Sequence, residues 1–323
     1  DHKQFQQNSL IQYNLYKQNR VRIFMEIIRE TYETFPKNAE FLKKIFPKDD
    51  EKYYYSFLQY DPLFSPNHIY SIKYINQTIA TLWCLPRLFI DNERMILAAG
   101  IANVATDPDF RGQGLAGQLM EKILKEAEKQ KYEFLILITE ISEYYKKWGF
   151  QEIGKYEIVI EPPNAGKYSI TCQDVPYENI LDSYKSFYQD FQMITPLHNW
   201  TYMRGMEEWN QWSSMFNYNG KKAGWFLLEN EMGQLVIFYG LDKEEYFNVF
   251  EIFWDKNIDK KDLLTLFQDW AYHLGKDIHL NLSLPVANYL GLKASKDLKE
   301  TVMVKPYGDI DINRIYLPVP DYF

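Results

Sequence analysis

Cysteine, histidine and glycine are scarce in this sequence, and each scarcity excludes something. The two cysteines, Cys84 and Cys172, provide no disulfide framework and no cysteine-built zinc site. They suit a reducing compartment, and the chain is read as cytoplasmic. The five histidines (His2, His68, His198, His273 and His279) are scattered without ligand spacing, so no metal is expected. No stretch approaches the ~20 apolar residues that a membrane helix needs. The opening DHKQFQQNSL lacks the apolar core of a signal peptide. Positive charge is also in deficit, with 36 Lys and Arg against 44 Asp and Glu and a net charge of -8. That balance argues against nucleic acid as the partner and suits a neutral or cationic one.

What is abundant is aromatic. Phe, Trp and Tyr make up 17% of the chain, with 26 tyrosines, and hydrophobic residues make up 46%. That is ample for packed cores, and 323 residues suggest two domains. Apolar spacing predicts a helix over residues 20–35 and a short second one over 38–46. Residues 49–66, with Pro62 and Pro66, read as loop. Strand-like runs follow at 68–75, 78–90 and 94–106, joined by short polar turns as in an antiparallel meander. A helix is expected from Gly114 to about Gln130, where Leu115, Leu119 and Ile123 recur every fourth residue. A buried strand over 133–139, a short helix ending near Gly149 and a strand over 155–162 complete the half. The fold class is therefore α/β, or α+β, with helices on a mixed sheet.

Glycine is concentrated where that helix begins. Gly112, Gly114 and Gly117 fall within the stretch VATDPDFRGQGLAGQLM, residues 104–120. A helix N-terminus leaves amides unpaired and favours an anion, and glycine lets a phosphate approach the backbone. The pattern is no P-loop, since no Lys-Ser/Thr pair follows. It does satisfy G-x-G-x-x-G, with Glu140 as a downstream acid. However, the dinucleotide fingerprint expects its first glycine directly after the strand, inside a parallel βαβ unit. Here residues 107–111 intervene after a meander. From the residues alone, the loop is either an anion site or a plain turn.

The segment resembles the acetyl-CoA signature of the GNAT superfamily of N-acetyltransferases, Arg/Gln-x-x-Gly-x-Gly/Ala, through Arg111, Gly114 and Ala116. Residues 104–108 resemble the end of that family's fourth strand. Tyr145-Lys146-Lys147-Trp148-Gly149-Phe150 resembles its downstream Tyr-x-x-x-Gly-Phe. The resemblance covers roughly residues 10–165. It implies that the amides of Gly112, Gln113, Gly114, Leu115, Ala116 and Gly117 hold the pyrophosphate of acetyl-CoA, with Arg111 adding positive charge beside it. It also implies that the strand edge at Val104, Ala105 and Thr106 pairs with the pantetheine arm. That pairing needs the fourth and fifth strands to part. Tyr145, rather than its neighbour Tyr144, would be the general acid for the departing sulfur as an amine attacks directly. The acceptor would be a primary amine, on a small molecule or on a peptide. For the base, the fourth strand offers only Asn103 as an interior polar residue, and Glu140 is a candidate. An acyl-CoA-binding scaffold without turnover is the alternative.

Residues 166–323 repeat the order β-β-β-α-β-α-β and read as a second, degenerate copy of the fold. The loop at 254–260 has no glycine, and Ala287 stands where Tyr145 would be. The expected division is a catalytic domain at 1–165 and a degenerate one, with a tail, at 166–323. Trp209 and Trp212 would share a helix face opposite Trp200, packing between the halves or walling a pocket. The tandem resembles the enhanced-intracellular-survival acetyltransferases, although no full third domain is evident. That likeness implies a base at the chain's terminal carboxylate, here Phe323.

Overall fold

The computed structural model describes residues 25–49, 51–61, 63–153, 156–175, 181–196, 217–218, 221–254, 258–292 and 300–317. The first half runs β1 (Glu26–Arg29), α1 (Phe35–Ile45), α2 (Glu51–Tyr60), β2 (Ile69–Tyr74), β3 (Gln77–Asp91), β4 (Arg94–Thr106), α3 (Leu115–Gln130), β5 (Phe134–Thr139), α4 (Ser142–Lys146) and β6 (Gln151–Ile153). Next come β7 (Tyr156–Ile160), β8 (Ile170–Asp174), α5 (Leu181–Asp190), β9 (Ile194–Pro196) and a small ribbon, β10 (Asn217–Tyr218) with β11 (Lys221–Lys222). The rest is β12 (Gly224–Asn230), β13 (Leu235–Asp242), β14 (Tyr246–Trp254), α6 (Lys260–Leu274), β15 (Asp277–Leu282), α7 (Leu284–Leu290) and β16 (Thr301–Pro306).

Two mixed sheets result. One is eight-stranded, ordered β1-β2-β3-β4-β5-β16-β6, with β9 on the far end of β3. The other is six-stranded, ordered β7-β15-β14-β13-β12-β8. The halves thus exchange a strand. β16, from the end of the chain, lies antiparallel between β5 and β6, with Thr301 opposite Thr139 and Val302 opposite Ile153. β7, from the first half, pairs with β15, Ile158 opposite Leu280. A cut at 165/166 therefore leaves the first sheet without β16 and β9 and the second without β7.

The first core has two layers. α3 lays Leu115, Leu119, Met120, Ile123 and Ala127 on one face of the sheet. On the other face, α1 and α2 surround the buried Trp83 with Phe35, Tyr54 and Phe57. Asn38 of α1 is buried but fully engaged. It donates to Ser71 Oγ (3.1 Å) and Thr81 Oγ1 (2.9 Å) and accepts from Trp83 Nε1 (3.1 Å). The second core is a single cluster of large aromatic and aliphatic residues around Phe238, Phe253 and Trp270.

Two expectations are corrected. Residues 26–29 form a strand rather than part of a helix, because Ile27 and Ile28 pair with Ile72 and Ser71 of β2. Residues 51–60, expected as loop, form α2, because Tyr54 and Phe57 are three apart and reach the same core. Trp200, Trp209 and Trp212 lie outside the described residues.

Candidate active site

The site is made where two parallel strands separate. β4 and β5 pair from Ala98↔Phe134 to Ile101↔Leu137 and no further, although β4 runs on to Thr106 and β5 to Thr139. A β-bulge accompanies the separation. Between the pairs Trp83↔Ala102 and Thr81↔Ala105, Leu82 of β3 faces both Asn103 and Val104. Asn103 adopts a left-handed conformation there, φ 49°. Val104, Ala105 and Thr106 keep β3 on one edge, through Thr81↔Ala105 and Ala80↔Thr106, and leave the edge towards β5 without a strand. The gap is a cavity of about 740 Å³. Its floor is residues 101–104 and its far wall residues 137–141. Phe46, Asp49, Lys52 and Tyr53 close it from the helical side.

The glycine loop lies at the outer end of that free edge. Gly112 and Gly114 have φ of 77° and 75°, and a Cβ on either would meet no atom within 4 Å. Gly114 is the N-cap of α3, and no side chain caps this helix end. The first helical bond is Gln118 N–H to the Gly114 carbonyl (3.0 Å), so the amides of Leu115, Ala116 and Gly117 have no helical partner. Leu115 itself packs in the core, leaving only its backbone for binding. The Trp148 ring stands 3.7 Å from where a Cβ on Gly117 would sit. Arg111 is exposed and folds its Nε back to the Thr106 carbonyl (3.3 Å). Asp107 anchors the loop through Lys44 (2.8 Å) and the amide of Asp109 (3.1 Å). Gln113 Nε2 is buried with no hydrogen-bond partner.

Tyr145 sits at the inner end of the cavity, 7% exposed, among Tyr144, Trp148 and Phe150. Burial, with a smaller contribution from Tyr144, pushes its phenol up to about 12. It is therefore a neutral O–H at any physiological pH. Glycine at position 149, φ 82°, lets the chain turn back after α4, with Lys305 Nζ of β16 only 3.1 Å from a would-be Cβ.

Residues 26–153 match the acetyltransferase (GNAT) domain family. Over that stretch the chain is similar to a GNAT domain. Solved structures share the wider fold. A GCN5-related N-acetyltransferase from Kribbella flavida has TM-score 0.60 at 13% identity, covering 88% of this chain and 72% of its own. One from Anabaena variabilis has TM-score 0.59 at 16%, covering 87% and 72%. Eis1 from Mycobacterium abscessus has TM-score 0.53 at 10%, covering 88% and 73%. At these identities the likeness is one of fold. No curated protein matches the chain. No helix among the described residues is long and apolar enough to cross a membrane.

The cavity also holds residues that the sequence alone does not single out. Asp49 accepts from the Tyr54 hydroxyl (3.0 Å) and borders the cavity beside Lys52 and Tyr53. Glu300 arrives at the head of β16, next to the pair Thr301↔Thr139, which brings it beside Glu140. The α2 residues could have been found from the 54/57 spacing. Nothing local in the sequence signals Glu300. Phe323 lies outside the described residues. Among the described residues no cluster could hold a metal ion.

The second half repeats the separation but closes it. β14 and β15 pair from Tyr246↔Asp277 to Val249↔Leu280 and then stop. Asn281 donates to the Val249 carbonyl (2.9 Å) and to Asn248 Oδ1 (3.0 Å). The Tyr316 hydroxyl donates to the carbonyls of Phe250 (3.3 Å) and Asn281 (3.5 Å). α6, which corresponds to α3, is capped by the Asp259 carboxylate, which accepts from the Lys261 amide (2.8 Å). A carboxylate there occupies the place an anion would take and repels another.

Proposed function

We propose that the protein is an acetyl-CoA-dependent N-acetyltransferase acting on a primary amine. One observation carries this reading: an unpaired edge of β4 leads from an uncapped, glycine-lined helix start to a buried, neutral tyrosine. The amides of residues 112–117 would bind the pyrophosphate, with Arg111 adding positive charge. The Val104–Thr106 edge would pair with the amides of the pantetheine arm as a neighbouring strand would. Open space beside Gly112 and Gly114 fits a group lying against the backbone.

Acetyl-CoA supplies the activated acetyl group. Glu140 and Glu300, which border the cavity, are the carboxylates proposed to take a proton from the incoming ammonium, directly or through water. The amine nitrogen then bonds to the carbonyl carbon, and the C–S bond breaks with its electron pair on sulfur. Tyr145 gives that sulfur a proton and recovers one from the acylated nitrogen. A thiolate in this closed site is desolvated as well, which raises its proton affinity towards that of the phenol. The acceptor is a small-molecule or peptide amine, and the cytoplasm is the proposed location.

Tyr145→Phe tests the role of the hydroxyl. The expected result is a kcat about 10²–10³-fold lower, with acetyl-CoA affinity unchanged. Equal turnover by both proteins would remove Tyr145 from the chemistry. A wild type that binds acetyl-CoA but acetylates no amine would favour a binding scaffold.

A further inference from the structure

The bulge in β4 leaves one polar group without a partner. Asn103 Nδ2 is buried from solvent and makes no hydrogen bond. Its residue borders the cavity that Tyr145 also borders. Leaving an amide N–H unpaired away from water costs about 1–3 kcal/mol, so such a group calls for an explanation. The contrast with Asn38 is direct, since that buried amide uses both its nitrogen and its oxygen. The backbone at Asn103 is also costly. A left-handed φ in mid-strand is a conformation that structures keep where it re-aims a side chain.

The second sheet shows the same position with its polar group satisfied. Asn103 stands two residues beyond Ile101, the last parallel pair of the first sheet. Glu251 stands two beyond Val249, the last parallel pair of the second. A bulge lies there too, since the pairs Tyr239↔Glu251 and Gly240↔Val249 leave Phe250 over. Glu251 is fully buried and accepts a hydrogen bond from the Tyr188 hydroxyl. The neighbouring Phe250 carbonyl is met by Tyr316. In the closed half, protein groups meet the bulge. In the open half, the bulge leaves a donor unpaired on a residue that borders the cavity.

We propose that Asn103 is a catalytic residue whose side-chain amide donates to the carbonyl oxygen of the bound thioester. This rests on the reading of the cavity as an acetyl-CoA site. As the amine nitrogen bonds to the carbonyl carbon, the C=O π pair moves onto that oxygen. The pair returns as the C–S bond breaks. A fixed N–H aimed at the oxygen favours the state in which it carries the charge. An amide does not take up the amine's proton at neutral pH, so Asn103 stabilises charge and the proton acceptor lies elsewhere in the cavity.

The test uses acetyl-CoA labelled with ¹³C at the carbonyl, bound to wild type, Asn103→Gly and Asn103→Asp. Glycine accepts the left-handed backbone without strain, so Asn103→Gly removes the donor and keeps the bulge. The expected result is an acetyl-CoA affinity within about tenfold of wild type in Asn103→Gly, with kcat about 100-fold lower in the variant. The carbonyl stretch of the bound thioester should lie at lower frequency in the wild type than in Asn103→Gly. Asn103→Asp places a carboxylate against the developing negative oxygen and should be slower still. An identical carbonyl band in wild type and Asn103→Gly would overturn the proposal and leave the acetyl-CoA site intact. So would an Asn103→Asp variant faster than Asn103→Gly. Failure of the wild type to bind acetyl-CoA would overturn the site itself and this proposal with it.

Discussion

In the first half, β4 leaves β5 after Ile101 and the gap stays open as a cavity of about 740 Å³. In the second half, β14 leaves β15 after Val249 and the gap is closed by Asn281 and Tyr316. The helix that follows begins at Gly114 without a side-chain cap in one case, and at Asp259, capped by its own carboxylate, in the other. The short helix beyond carries Tyr145 in one and Ala287 in the other. One backbone plan therefore has two outcomes, decided by a handful of side chains. The fold provides the parted strands. Glycine at the helix start and the lack of a plug decide whether a ligand can use them.

The halves are nevertheless not separable, because each completes the other's sheet. Met303 on β16 is wholly buried in the first sheet, although it is encoded at the far end of the chain. Met303→Ala should cost about 2–5 kcal/mol of stability. Urea unfolding followed by near- and far-ultraviolet dichroism should show one transition, shifted as a whole. Two separate transitions, with only the later one shifted, would mean that the exchanged strands do not couple the halves.

A smaller effect separates them functionally. Tyr316→Phe removes the hydroxyl that spans Phe250 and Asn281 and should cost about 1 kcal/mol. Acetyl-CoA affinity, measured by titration, should not change. A clear loss of affinity would show that the second half does more than support the first.

The smallest expected effect is one of pH. A phenol pushed up to about 12 stays protonated as pH rises, so the donor form of Tyr145 is not lost until pH nears that value. The kcat profile should therefore show no fall from loss of the Tyr145 proton up to about pH 10. A falling limb between pH 7 and 10 would assign the proton donor to another group.

Much of this was legible in the residues. The α3 face, the meander and the glycine loop are local patterns, and each formed where its spacing placed it. Tyr145 could be singled out by its register with Gly149 and Phe150. Other features depend on partners far along the chain. Residues 26–29 carry apolar spacing that suits a helix, and only β2 makes them a strand. The exchange of β7 and β16 has no local signal, since both are short apolar strands that suit either sheet. Glu300 reaches the cavity only through that exchange. The bulge at Asn103 was hidden for a related reason, because register is a property of a pair of strands.

The most direct test of the contrast is calorimetric. Acetyl-CoA is titrated into wild type, Gly114→Asp and Asp259→Gly. Gly114→Asp gives the first half the carboxylate that the second half carries, at a left-handed position that Asp tolerates. Asp259→Gly removes that carboxylate but leaves the plug of Asn281 and Tyr316. The account predicts one site per chain in the wild type, none in Gly114→Asp and still one in Asp259→Gly. Undiminished binding by Gly114→Asp, or two sites in the wild type, would contradict it.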